Sequence, residues 1–311
     1  MAIKCRAGSA CRNFPLKPLP NVFALILLWC CLCLLAGLAL GCGTGKSRRP
    51  DLRQEAVKLN DEGYKYYRES RWRLAQHKFT QALNLNRLID HRPGIASNLN
   101  NLGAIAQEQG DLAAAATFYQ EALTIRREIG DPAGVCEALN NLGTVYVGLG
   151  RWSEAQNLYL EALSYARQLP PGSLLALTLT HQGDIARHNQ DYVSALNLYR
   201  EALKIDQAKK NRAGMAVSWA RLGRTYLVMG EYFSARRFFL MALRESRRLE
   251  MTTGIIDALD GLTTLALAQD YQSQAELYGG RLLRIYQARK QTQQAEKLRE
   301  ILRLGKKTGR E

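Results

Sequence analysis

The 311-residue sequence predicts an all-α solenoid of about six helix-turn-helix repeats, closed by a C-terminal capping helix. Three observations predict it. Glycines stand 40 residues apart at Gly63, Gly103, Gly143, Gly183 and Gly223. Ala75, Ala115, Ala155, Ala195 and Ala235 keep the same period, and each is followed four residues on by Phe79, Tyr119, Tyr159, Tyr199 or Phe239. Turn residues recur with the same period. A register kept five times, at a period of 20–50 residues, is the mark of stacked supersecondary units.

The first helix of each unit carries its packing stripe on residues such as Leu99, Leu102, Gly103 and Ala106, which share one helix face. Gly103 lacks a side chain, so the paired helix can cross near its backbone. In the second helix the pattern Ala-x-x-x-Tyr-x-x-Ala ends on Ala82, Ala122, Ala162, Ala202 or Ala242. Spacings of four and three set these residues on one face. The alanines admit a neighbouring helix and the ring fills the space between.

Gly110, Gly150 and Gly230 break the helix pairs, with Ser70 and Gln190 in their place in units one and four. Between units come Asp90-His-Arg-Pro-Gly94, Asp131-Pro-Ala-Gly134, Pro170-Pro-Gly172, Asn211-Arg-Ala-Gly214 and Met251-Thr-Thr-Gly254. Their glycines and prolines are expected to end helices and start turns. The sixth unit is degenerate: Leu259, Leu262, Ala266 and Ala275 hold the period, but Gly279 stands where an aromatic is expected. A terminal unit has one neighbour and tolerates a poorer stacking face. Residues 281–304 then read as a basic capping helix packed through Leu282, Ile285, Leu298 and Ile301.

These residues resemble the tetratricopeptide repeat. Unit five matches through Trp219, Leu222-Gly223, Tyr226, Gly230, Ala235, Phe239 and Ala242. Glu128-Ile-Gly-Asp-Pro-Ala-Gly134 and Asn140-Asn-Leu-Gly143 are similar to the longer 40-residue subtype, known from cell-polarity adaptors and related to kinesin light chains. The resemblance covers roughly residues 53–280. It implies a right-handed superhelix whose first helices line the concave surface, with the extra length in the second helix and linker.

The N-terminus reads as an address. Residues 22–41 form an uncharged apolar run preceded by Lys4, Arg6, Arg12 and Lys17, as in an export signal. Twenty such residues in a helix span about 30 Å, enough to cross a bilayer core. Leu38-Ala39-Leu40-Gly41-Cys42 resembles a bacterial lipobox, departing from the commonest form at Ala39-Leu40. The resemblance implies a lipidated Cys42 as the first mature residue. Thr44 is not the aspartate that retains many such proteins at the inner membrane, which points to the periplasmic face of the outer membrane. The alternative is an uncleaved anchor, since Lys46, Arg48, Arg49 and Arg53 follow the run. The organisation expected is therefore 1–41 signal or membrane segment, 42–52 tether, 53–280 repeats, and 281–311 basic cap and tail. Gly41-Cys-Gly-Thr-Gly-Lys-Ser47 imitates a phosphate-binding loop, but that motif needs glycine at Leu40 and a strand before it.

Composition excludes several function classes. With 47% apolar residues and 8 prolines the chain is neither disordered nor proline-rich. Six of seven cysteines lie in the first 42 residues, so the body, with Cys136 alone, has no internal disulfide or cysteine-rich zinc site. The net charge is +15, of which +7 falls in residues 281–311. No nucleic-acid-binding motif accompanies that charge, so nucleic acid is not an expected partner. No nucleophile, base and orienting acid occur at a recognisable spacing, so no enzyme activity and no cofactor are expected. His181-x-x-Asp184-x-x-x-His188 is the one helical metal candidate, and with Arg187 adjacent it reads better as a solvated groove wall than as a metal site.

Opposite the packing stripe, the first helices carry Asn60, Asn100, Asn101, Asn140 and Asn141 in units one to three, and His181, Asp184, Arg187, Arg221 and Arg224 in units four and five. Asparagine both donates to and accepts from a peptide backbone, and arginine can grip a carboxylate. The resemblance implies that these asparagine positions hold a ligand backbone; bonding to the neighbouring unit is the competing role. The function expected is a lipid-anchored scaffold of the bacterial envelope binding a protein or peptide in its groove. The alternative is a cytosolic adaptor on an uncleaved anchor. Oligomeric state is left open.

Overall fold

Helices of 17 residues joined by three-residue connections set the rhythm of residues 51–308, which the computed structural model describes. Thirteen helices and no strands occur among these residues. Six hairpins follow in order: α1 (Leu52–Arg68) with α2 (Trp72–Leu88), α3 (Arg92–Glu108) with α4 (Leu112–Glu128), and α5 (Pro132–Gly148) with α6 (Trp152–Ala166). The other three are α7 (Ser173–His188) with α8 (Tyr192–Ala208), α9 (Arg212–Val228) with α10 (Tyr232–Arg248), and α11 (Thr252–Ala268) with α12 (Gln272–Ala288). α13 (Thr292–Thr308) packs on α12. Each second helix touches the first helix of the next hairpin, so the units stack in sequence as a solenoid.

The 40-residue period is therefore two equal 20-residue halves. The extra length expected in the second helix is shared by both helices. Each regular connection closes the same way. Ser70 N–H bonds Tyr67 O at 2.9 Å and Arg71 N–H bonds Tyr66 O at 2.9 Å, the paired bonds of a Schellman ending. The residue between is left-handed: Ser70, Gly110, Gly150, Gln190 and Gly230, at the breaks the sequence predicts, and Asp270 in the sixth hairpin. Between hairpins Asp90, Gly130, Lys210 and Glu250 do the same work. Gly94, Gly134, Gly214 and Gly254 were expected to end helices, and instead sit in the first turn of the next one. A Cβ at Gly214 would run into Asp206, and one at Gly254 into Ser246. These glycines make room where a new helix passes the end of the old one. Pro170-Pro171-Gly172 is the exception, shortening α6 to 15 residues.

Within a hairpin the repeated glycine meets the repeated ring. A Cβ on Gly63, Gly103, Gly143, Gly183 or Gly223 would stand 2.5–2.8 Å from the ring of Phe79, Tyr119, Tyr159, Tyr199 or Phe239. All five rings are at most 2% exposed. Burial of each is worth about 2–3 kcal/mol, so this pair anchors units one to five. In unit six the pair is exchanged: Thr263 replaces the glycine and Gly279 the ring. Leu302 of α13 packs at Gly279 instead, and Phe239 of unit five closes on Gly261. The expected cap over 281–304 is thus divided. Residues 281–288 finish α12, the chain turns through left-handed Lys290, and the cap starts at Thr292. Leu282 and Leu298 are buried as expected, but Ile301 is 40% exposed and Leu302 takes its place. Cys136 is fully buried, with Sγ 3.3 Å from Ala162 O, and burial pushes its thiol pKa up.

No helix among the described residues is long and apolar enough to cross a membrane. The apolar run 22–41 and Cys42 lie outside the described residues.

Candidate functional site: the polar face of the first helices

Each first helix presents the packing stripe to its partner and a polar side away from it. In units one to three that side is built from amides that bond across unit boundaries. Asn60 Oδ1 accepts from Asn98 Nδ2 at 2.9 Å and from Asn101 Nδ2 at 3.0 Å. Asn86 Nδ2 donates to Asn98 Oδ1 at 2.7 Å, and the Tyr64 hydroxyl donates to Asn101 Oδ1 at 2.9 Å. One unit on, Asn141 Nδ2 donates to Asn100 Oδ1 at 2.8 Å, and Asn100 Nδ2 to Glu137 at 3.2 Å. An amide has two donor hydrogens and two acceptor lone pairs. Half-buried Asn60, Asn100 and Asn141 therefore keep capacity for a ligand.

Two expected groove residues are withdrawn from the surface. Asn140 is fully buried and donates to Cys136 O at 3.0 Å and to Thr178 Oγ1 at 2.8 Å. It ties α5 to α7 and cannot reach a ligand. Asn101 is 7% exposed and sits beneath Tyr64 in the amide chain. Residues 140 and 141 are neighbours, but a helix turns about 100° per residue, so only one can face outward.

Units four to six replace the amides with charge. Asp184 accepts from the Tyr199 hydroxyl at 2.8 Å and from Arg221 Nε at 3.0 Å. Arg187 lies 3.7 Å from the same carboxylate. Arg221 is also 3.7 Å from Asp257, and Arg224 reaches Asp257 at 3.6 Å and Asp260 at 3.1 Å. The result is an alternating ladder of three arginines and three aspartates over α7, α9 and α11. The Asp184 charge, with Asp257 behind it, raises the Arg221 pKa further. Burial, reinforced by Asp184, likewise raises that of Tyr199.

The arginines are thus committed to acids, rather than open to a ligand carboxylate as expected. Asp257 and Asp260 were missed in the sequence, although the period points to them. Asp257 lies 120 residues after Glu137, and Asp260 shares the register of Asn60, Asn100 and Asn140. Among these side chains Asp257 and Asp260 are the most accessible, at 42% and 41%.

His181 and His188 do not gather with Asp184 into a metal site. The His181 ring stacks on Tyr159 with centroids 4.7 Å apart, and His188 stacks on Trp152 at 3.7 Å. Burial, with Arg221 opposing protonation against the pull of Asp184, brings His181 down to about 4. It is a neutral ring at physiological pH, bridging the amide and charged halves.

The face offers neutral amides, a neutral imidazole and charges of both signs along successive helices. Such a surface can bond an extended or helical polypeptide at several points, without a demand for one net charge.

Residues 55–128 and 134–208 match the family model described as tetratricopeptide repeat, and this part of the chain consists of such repeats. No curated protein matches the chain. Solved structures that it is similar to include the apo form of RapI, at 16% identity over 79% of this chain and 88% of that one, with a TM-score of 0.65. A Rap protein complexed with competence and sporulation factor aligns at 14% identity over 82% and 76%, with a TM-score of 0.60. PilW, a type IV pilus biogenesis factor, aligns at 19% identity over 73% and 91%, with a TM-score of 0.53. At these identities the likeness shows the fold, a solenoid of helical hairpins.

Proposed function

We propose that this protein is a lipid-anchored interaction scaffold of the bacterial cell envelope, tethered through Cys42 and capturing a protein or peptide on the polar face of its first helices. The observation that carries the capture is the unbroken series of half-buried polar groups from Asn60 through Asn100, Asn141, His181 and Arg221 to Asp260. The helices of units one to five are held by their Gly–aromatic pairs and α11 by the closure of Phe239 on Gly261, so the surface is set before a partner arrives. A Rap protein of the same fold is complexed with competence and sporulation factor, one instance of this architecture holding a second molecule. The tether rests on the sequence from Leu38 to Cys42 and on the basic and apolar segments before it.

Two measurements test the reading. Labelled palmitate should enter the wild type and be lost in Cys42→Ser; a wild type without label ends the lipoprotein part and leaves the cytosolic adaptor on an uncleaved anchor. For capture, crosslinked native membranes should yield a partner with the wild type and lose it in Asn141→Ala with Asp260→Ala, at unchanged helicity. A partner retained by that double variant rejects the first-helix face as the binding surface.

A further inference from the structure

The outer side of the second helices carries a pattern that capture on the first helices leaves unused. In the N-terminal half, arginines there are neutralised across unit boundaries. Arg87 pairs with Glu121 at 2.8 Å, and Arg127 with Glu161 at 2.5 Å, each 34 residues on. The same two positions between units five and six are Arg247 and Arg281. Two cations therefore occupy the geometry that elsewhere holds an ion pair, an arrangement that costs stability unless an anion lies against it.

The surroundings deepen the imbalance. α10 exposes Arg236, Arg237, Arg244 and Arg247 along its outer side. Its single acid, Glu245, is buried and turned to Arg212 of α9 at 2.5 Å. Arg284 of α12 is exposed at the register of Arg244. None of these five arginines forms an ion pair among the described residues, nor does Arg281. Glu276, hydrogen-bonded by Gln272, is the one acid of α12.

Large apolar side chains stand among these cations. Phe233 is 84% exposed, Leu277 50% and Leu240 38%. Phe233, Arg236, Leu240, Arg244 and Arg247 follow the three- and four-residue spacing of one helix stripe. We propose that the outer side of α10 and α12 docks on an anionic phospholipid bilayer, with the arginines on headgroup phosphates and Phe233, Leu240 and Leu277 in the acyl boundary. A bilayer surface satisfies both halves of the pattern, because it offers phosphates and apolar depth together. A nucleic acid supplies phosphates, but single strands are gripped by several stacking rings, and Phe233 is the one aromatic on this stripe. The surface is distinct from the first-helix face and does not depend on acylation of Cys42.

The test places benzoylphenylalanine at position 233 in the full chain, reconstituted in discs of phosphatidylcholine, with or without phosphatidylglycerol. Irradiation should attach phospholipid at that position roughly tenfold more in discs containing phosphatidylglycerol, and high salt should remove the excess. The same probe at Ser153, two units earlier in the same register, should give no lipid adduct. Arg281→Glu recreates the ion pair seen between Arg87 and Glu121. It should reduce the adduct by roughly fivefold or more while thermal stability holds or rises, which separates lost docking from lost folding. Equal adducts in both discs, or an adduct unchanged by Arg281→Glu, would overturn the proposal. So would a probe that labels added oligodeoxythymidylate or polyglutamate in preference to lipid.

Discussion

Units one to three and units four to six share one backbone register but are joined along their first helices by different chemistry. In the N-terminal half, Asn60, Asn98 and Asn101 bond one another as neutral amides. In the C-terminal half, Asp184, Arg221, Asp257 and Arg224 join the same helices by charge. The contrast continues outside, where Arg87 and Glu121 are paired but Arg247 and Arg281 are not. Backbone stacking is thus indifferent to the polar link chosen. The links differ in their response to salt and acid, since charge is screened and titrates while amides do neither.

The contrast can be broken most forcefully at Asp184. Asp184→Ala strips Tyr199 and Arg221 of their acceptor and should cost about 2–3 kcal/mol in urea unfolding. High salt should narrow the gap between variant and wild type. Next come the glycines that both halves share. Gly103→Ala and Gly183→Ala should each cost about 1–2 kcal/mol, because the added Cβ meets a buried ring; equal losses in thermal unfolding would show that packing is common and only the polar links differ.

Acid separates the halves at His181. Its pKa is about 4 in the fold against 6.5 for the free side chain, so the unfolded chain binds the extra proton between those values. Stability is whole above 6.5 and should fall steadily as pH drops toward 4. His181→Gln should flatten that slope in a pH series of melting curves. Smallest is Asn60→Ala, which should cost about 1 kcal/mol with no dependence on salt. A salt-dependent loss there would erase the distinction.

Much of this architecture was legible before any coordinates. Gly143 and Tyr159 announce a close crossing, and Ser70 and Gln190 stand at the periodic break that glycine fills in units two, three and five. The inter-unit turns were harder: Lys210 and Glu250 take the left-handed role without any compositional hint, because the Schellman bonds and the packing around them outweigh the local cost. Asn140 was misread as a groove residue because the adjacent Asn141 has the same chemistry; only the place of Thr178 on the next unit shows which of the two is buried. Asp260 is readable from the period, since it stands in the register of Asn60, Asn100 and Asn140.

Spacing alone therefore determined the repeat, the hairpins and the buried Gly–aromatic pairs, since helical geometry turns intervals of three, four and forty into shared faces. The tertiary structure decided which polar groups remain available and which arginines stay unneutralised. Those outcomes depend on the side chain that the neighbouring unit brings to within about 3 Å, and no interval along one helix contains that information.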